Sequence, residues 1–199
     1  MKRPPLAIIP LKDFGLAKRR LNLPHGVREE LARAVARHVV DACRGAGFDA
    51  LVVTGSPDVG AWAAAIGAES ADEPAGGGLD GAAELGMGTA VDRSVPWVVV
   101  HGDLPLLSTD DLGPLSSALS VGRVVVAPSR DGGTNILGAT GPFSFRYGPG
   151  SFHRHLDVAA GMPTTVIVRP GTAIEIDTLP DLEAAERLGA GSWLSRFLS

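Results

Sequence analysis

Residues 96–107 read PWVVVHGDLPLL. Four apolar residues run without alternation from Trp97, polar residues break in at His101, and a proline follows Leu104. An unbroken apolar run closed by such breakers predicts a short strand buried on both faces, the kind found in parallel sheets covered by helices on either side. Asp103 then stands just past the strand end, a lone carboxylate facing the crevice there.

The same pattern spreads outward in both directions. Upstream, LAIIPL from Leu6 and ALVVTG from Ala50 predict two more buried strands, and the segment from Val27 to Ala46 between them carries apolar residues at helical spacing. Gly45 and Gly47 supply its stop. PDVGAWAAAIG from Pro57 and LDGAAELGMGTAV from Leu79 predict helices, the second weakened by its glycines. Downstream, STDDLGPLSSAL opens with Ser108 or Thr109 ahead of Asp110 and Asp111, a helix start with capping chemistry. RVVVAPSR from Arg123 predicts a fourth strand, and DGGTN (131–135) leads into the short apolar piece ILGATG. TTVIVRPG from Thr164 predicts a further strand, IEID (174–177) a short one, and LPDLEAAERLG a closing helix.

Strands alternating with helices give an α/β fold with a mainly parallel sheet, and such sheets bind ligands outside the carboxyl ends of their strands. The polar punctuation collects at those ends, at Lys12, Thr54, Asp103, Ser129–Asn135 and Asp177. No repeat, low-complexity tract or linker interrupts the pattern, so residues 1–199 are expected to form a single domain.

Bulk composition narrows the function. At 45% hydrophobic and 20% charged, the chain reads as an ordinary globular protein, and its net charge of −4 argues against a broad nucleic-acid surface. One cysteine, Cys43, excludes an internal disulfide and a cysteine-built zinc cluster. The basic residues and short apolar run at the N-terminus fit a first strand better than a signal peptide, and no stretch reaches the roughly 20 apolar residues of a membrane span. A cytoplasmic enzyme or binding protein is the expectation.

Several familiar signatures are absent: the P-loop, a G-x-G-x-x-G following a predicted strand (Gly76–Gly78 stand before a helix but after no predicted strand) and the G-x-S-x-G elbow. Five features remain. PLKDFGLAKRRL (10–21) follows the first strand and sets Lys12 and Lys18 six apart, able to bracket a triphosphate or simply to solvate a loop. Asp103 and, in EIDTLPDL (175–182), Asp177 are two strand-tip carboxylates that can converge on a metal ion, since Mg²⁺ is usually held by one or two carboxylates plus phosphates. DGGTN is either an anion-cradling turn or a hairpin turn. YGPGSFHRHL (147–156) has glycines suited to positive φ around Pro149, after which Ser151 is placed as the cap of a helix whose N-terminus favours an anion. His153 and His155 are two apart, so on a helix they point about 200° apart and cannot chelate one ion together.

AIIPLKDFGLAKRRL (7–21), GDLPLL (102–107), DGGTNIL (131–137), YGPGSFHRHL and EIDTLPDL together resemble the guanylyltransferases of deazaflavin-coenzyme biosynthesis, which act on 2-phospho-L-lactate or phosphoenolpyruvate. The similarity runs over nearly the whole chain. It implies a Rossmann-like fold of the nucleotide-diphospho-sugar transferase type: three layers, α/β/α, around a mixed, mainly parallel sheet. It also implies GTP as donor, Mg²⁺ as cofactor and pyrophosphate as product. On this resemblance Lys12, Lys18 and Arg20 contact the GTP phosphates, and Asp103 and Asp177 hold the metal. Lys12, Lys18, Asp103 and Asp177 form the catalytic set. Thr134, Gly148 and Ser151 match positions that bind the phosphorylated acid, and Asn135 and Gly150 belong to the same motifs. Asp80 departs from the family, which often has Asn near the expected base pocket.

Two other readings stand beside this one. A related nucleotidyltransferase could act on a molybdopterin-type cofactor or a sugar phosphate, and a non-catalytic module would bind nucleotide without releasing pyrophosphate. The acceptor choice among phosphoenolpyruvate, 2-phospho-L-lactate and 3-phospho-D-glycerate stays open. So does the assembly, because WLSRFLS at the C-terminus can pack on the domain or on a second subunit of a homodimer.

Overall fold

The structure, a computed structural model, describes residues 3–190 and 192–197; residues 1, 2, 191, 198 and 199 of the expected domain, among them the last two of WLSRFLS, lie outside the described residues. Its strands are β1 (Leu6–Pro10), β2 (Asp49–Thr54), β3 (Glu69–Asp72), β4 (Trp97–Val100), β5 (Val124–Pro128), β6 (Thr134–Ala139) and β7 (Thr164–Val166). They form one seven-stranded sheet in the order β3-β2-β1-β4-β6-β5-β7. All neighbouring pairs are parallel except those of β6, which runs antiparallel to both β4 and β5. The expected mixed, mainly parallel sheet is present.

Strand alternation divides the core into two layers. Ala7, Ile9, Val52, Val98, Val100, Val125 and Ala127 face one side, where they meet α1 (His25–Gly45), α2 (Pro57–Ala65) and α4 (Thr109–Ser120). Leu6, Ile8, Val53, Trp97, Val99 and Val126 face the other, against α3 (Gly78–Asp92) and α5 (Ser151–Val158). In α1 the residues Leu31, Val35, Val39 and Cys43 repeat every four positions and are all fully buried. Burial pushes the Cys43 thiol up to about 12, so it is a packing group and not a nucleophile.

The glycines that weaken α3 as a helix have a packing cause. A Cβ on Gly86 would sit 2.4 Å from Ile8 Cγ2, so only glycine lets α3 lie this close to β1. The start of α4 is capped as expected. Ser108 Oγ accepts from the Asp111 N–H at 3.2 Å, and Asp111 Oδ2 accepts from the Ser108 N–H at 3.0 Å.

A smaller third cluster joins Leu21, Leu31, Val35 and Ile176 to α7 (Leu179–Arg187) and α8 (Ser192–Ser195). Leu194 and Phe197 are buried in it, so the described part of WLSRFLS packs on its own chain. No helix among the described residues is long and apolar enough to cross a membrane.

Two elements differ from the sequence expectation, and a third resolves one of its two readings. β3, with the polar sequence ESAD, is an edge strand that hydrophobic patterning does not reveal. IEID is not a strand: one helical turn, α6 (Pro170–Ala173), precedes it, and the chain then passes the sheet held by the Ile176 N–H to the Asp103 carbonyl at 3.1 Å. Asp177 therefore reaches the rim on an extended segment and not from a strand tip. DGGTN is a hairpin turn joining antiparallel β5 and β6.

Candidate active site

Parallel β1, β2, β4 and β5 deliver their carboxyl ends to one rim of the sheet. Antiparallel β6 delivers its amino end to the same rim, and this is what brings Thr134 and Asn135 beside the segment after β4; the His101 N–H bonds the Asn135 carbonyl at 3.0 Å. A cavity of about 350 Å³ opens at this rim, lined among others by Lys12, Lys18, Leu79, His101, Asp103 and Asp177. A roomier cavity of about 590 Å³ lies around Arg93 and Leu119 and has no carboxylate in its lining.

The loop after β1 is built to present its lysines. Asp13 accepts from the Gly15 N–H at 2.9 Å and from the Ser56 hydroxyl at 2.7 Å, tying the loop to the end of β2. The Ser56 bond, with help from backbone N–H groups, holds the Asp13 carboxyl below its usual range. Lys18 adopts a left-handed conformation, φ 58°, which turns its side chain inward.

Lys18 Nζ lies 2.9 Å from Asp103 Oδ2 and 3.7 Å from Asp177 Oδ1, and it also donates to the Ile176 carbonyl. A cation thus stands between the two carboxylates singled out from the sequence. Burial pushes the Asp103 carboxyl up, but the Lys18 charge and hydrogen bond outweigh it and hold the group below its usual range. Asp177 is half-exposed at the cavity wall.

Two further donors converge on Asp103. His101, Asp103 and Glu175 each offer one ligand atom, all within 4.8 Å of one another. His101 Nε2 and Asp103 Oδ1 are buried with no hydrogen-bond partner among the described groups. Burial lowers the His101 pKa, leaving a neutral ring able to donate a lone pair. Burial, then the charges of Asp103, Asp131 and Asp177, push the Glu175 carboxyl up to about 7. Crowded carboxylates, a bare imidazole nitrogen and an orphaned carboxylate oxygen make a donor set that fits a divalent cation. Neither His101 nor Glu175 stands out in the sequence as a site residue. The signal was available as proximity alone: each sits two positions before a chosen aspartate.

The other expected residues are placed as follows. Lys12 is exposed and lines the cavity, whereas Arg20 is exposed in a short 3₁₀ turn (Arg19–Leu21) and is not in its lining. Thr134 and Ser151 are buried with their hydroxyl oxygens 3.3 Å apart. Asn135 is fully buried and donates to the Thr172 carbonyl at 3.2 Å, tying β6 to α6. Gly148 and Gly150 have φ of 111° and 71°, the left-handed values the G-P-G sequence implies. Gly150, not Ser151, is the helix cap, and Ser151 is the first residue of α5. The helix N-terminus is also less open than expected, since the Ser151 N–H bonds the Gly148 carbonyl and the Phe152 N–H the Gly132 carbonyl. In DGGTN the Gly133 N–H is taken by Asp131 and the Gly132 N–H by the Ser129 carbonyl, so the turn satisfies itself. The Thr134 and Ser151 hydroxyls lie beneath these two loops, buried and paired with each other. Asp80 accepts from the Tyr147 N–H at 2.9 Å and so fixes the G-P-G loop to the start of α3.

The mixed α/β sheet with its helices on both faces has the fold of the nucleotide-diphospho-sugar transferases. A protein of Desulfovibrio desulfuricans G20 assigned to those transferases has this fold, with a TM-score of 0.81 at 18% identity over 96% of this chain and 90% of that one. More narrowly, the chain belongs to the family described as guanylyl transferase CofC like, whose model matches residues 6–195. It is 34% identical to the phosphoenolpyruvate guanylyltransferase of Rubrobacter xylanophilus, over 96% of this chain and 97% of that protein. It is 29% identical to the 2-phospho-L-lactate guanylyltransferase of Methanothermobacter thermautotrophicus, over 96% and 88%.

Proposed function

We propose that this chain transfers GMP from GTP to a small phosphorylated acid, phosphoenolpyruvate or 2-phospho-L-lactate, in deazaflavin-coenzyme biosynthesis. The observation that carries the reading is the convergence of Lys18, Asp103 and Asp177 at the rim of a guanylyltransferase-family fold. An oxygen of the acceptor's phosphate attacks the α-phosphorus of GTP, the bond from that phosphorus to the α,β-bridging oxygen breaks, and pyrophosphate leaves. The nucleophile is already an anion, so no proton has to move and no side-chain base is required. Among the described residues no serine hydroxyl at the rim bonds a histidine ring, in keeping with a reaction of positioning and charge neutralisation.

Asp103 and Asp177, with Glu175 and His101 beside them, would hold Mg²⁺, which supplies charge neutralisation at the phosphates. Lys12 and Lys18 neutralise the triphosphate as point charges. Lys18, paired with both carboxylates here, would neutralise the phosphates if a cation held by those carboxylates took its place. The Thr134–Ser151 hydroxyl pair, one hydrogen of which is used between the two, donates the other to an anionic group of the acceptor, and the Gly148–Gly150 turn sets the position of Ser151. Arg20 contributes through the field of the loop, since it is not in the cavity lining. The enzyme works in the cytoplasm.

The test is pyrophosphate release from GTP and Mg²⁺ with phosphoenolpyruvate, 2-phospho-L-lactate and 3-phospho-D-glycerate supplied separately. Release with one of the acids supports the reading; GTP binding with no release for any of them overturns it.

A further inference from the structure

His155 sits on α5 with no exposed surface, and both its ring nitrogens are engaged. Nε2 lies 3.0 Å from the backbone nitrogen of Arg146, and Nδ1 lies 2.9 Å from Thr134 Oγ1. A backbone N–H can only donate, so Nε2 must be the acceptor. A neutral imidazole then carries its hydrogen on Nδ1 and donates it to Thr134. The ring is held in this pose by Tyr147, edge-on at 4.8 Å, and by Phe143 at 6.1 Å. Burial holds its pKa down to about 4, with the Asp80 charge pulling it up and the Arg154 charge pushing it further down.

That tautomer decides what the neighbouring hydroxyls can do. Thr134 and Ser151 carry two hydroxyl hydrogens and share one mutual bond. His155 fills a lone pair of Thr134 and takes no hydrogen from it. One hydroxyl hydrogen is therefore left over, and no protein group among the described residues accepts it. In the opposite tautomer Nδ1 would accept from Thr134, Ser151 would donate to Thr134, and both hydrogens would be consumed inside the protein.

We propose that His155 is a positioning residue which, by donating from Nδ1 to Thr134, forces the Thr134–Ser151 hydroxyl pair to present a hydrogen to an anionic oxygen of the phosphorylated acid. The inference rests on the assignment of Thr134 and Ser151 to the acceptor.

The test compares two substitutions in the pyrophosphate-release assay, using whichever of the three acids is turned over. His155→Asn places an amide N–H near the position of Nδ1 and keeps the donor to Thr134. His155→Gln reaches toward Arg146 and loses that donor. His155→Gln is expected to raise the acceptor KM about tenfold, the weight of one hydrogen bond to a charged group, while His155→Asn changes it by less than about threefold. The KM for GTP should move by less than about twofold in both. Equal acceptor KM values in the two variants, or a GTP KM that rises in step, overturn the inference. Thr134→Val separates this from the parent reading: an unchanged acceptor KM there removes the acceptor assignment itself. If it rises, adding His155→Gln should raise it no further, and a further rise counts against His155 acting through Thr134. Nitrogen-15 NMR of histidine-labelled, unsubstituted protein is independent of variant folding. It should show one buried ring protonated at Nδ1 near neutral pH, and protonation of His155 at Nε2 overturns the proposal.

Discussion

Asp103 accepts from Lys18 and keeps its second oxygen buried without a partner, so on the proposed reading a single side chain serves both the resident lysine and an incoming cation. Asp103→Asn keeps the shape and removes the charge. On the proposed reading it should cut kcat for pyrophosphate release by about 10²–10³, by analogy with losing one transition-state stabiliser, and near-normal turnover would remove Asp103 from the catalytic set. Gly148→Val tests the other side of the rim. A β-branched residue at φ 111° is strained, so the turn carrying Ser151 must move. The acceptor KM should rise at least several-fold in Gly148→Val and in Ser151→Ala, and unchanged values in both would detach this turn from the acceptor. The lysines and aspartates were legible in the sequence because each flanks an apolar run or a helix start, and position along a strand can be counted from residues alone. His155 was not, because its role comes from a contact with Thr134 that only the packing of α5 against β6 creates.

At the scale of elements, α3 shows how packing overrules propensity. Gly86 and Gly88 both lower helix propensity, yet their surroundings are opposite. A Cβ at 86 would meet Ile8, whereas one at 88 would meet nothing within 4 Å. Gly86→Ala should lose about 1–3 kcal/mol to overpacking, and Gly88→Ala should gain about 0.5–1 kcal/mol from helix propensity. Urea unfolding of the two variants reads both signs, and equal effects would contradict the close approach of α3 to β1. The buried strands β1, β2, β4 and β5 were readable as apolar runs because both their faces are covered. β3 was not, since an edge strand of Glu, Ser, Ala and Asp carries no hydrophobic signature. Strand direction was equally hidden: the antiparallel course of β6 follows from the tight DGGTN hairpin, whose sequence reads equally well as an anion cradle. Because β6 is reversed, residues at its start and not its end reach the rim where the parallel strands finish.

For the molecule as a whole, the buried histidines set a pH window. His38, His101 and His155 all have their pKa lowered by burial, His155 to about 4. The unfolded chain takes up a proton on His155 near its ordinary value of 6.5, while the folded chain refuses it until about 4. Between those values the unfolded state binds more protons, so stability falls as pH falls from 6.5 toward 4 and is fully present above 6.5. For His155 alone the loss reaches at most about 3 kcal/mol. The lowered carboxyls of Asp103 and Asp181 act in the same direction, but their contribution is lost only as pH drops through the carboxylate range. Glu175, pushed up to about 7, takes up its proton in the folded state over the same range and adds stability as pH falls, so urea midpoints measured at pH 7.5, 6.5, 5.5 and 4.5 carry the histidine decline offset in part by Glu175. His155→Asn has no proton to gain and should flatten that decline by about 1–3 kcal/mol while leaving the loss below pH 4 in place. A variant whose stability falls as steeply as the parent's between pH 6.5 and 4.5 would show that the ring is not held neutral by its aromatic surroundings, and the tautomer that orders Thr134 would lose its physical basis.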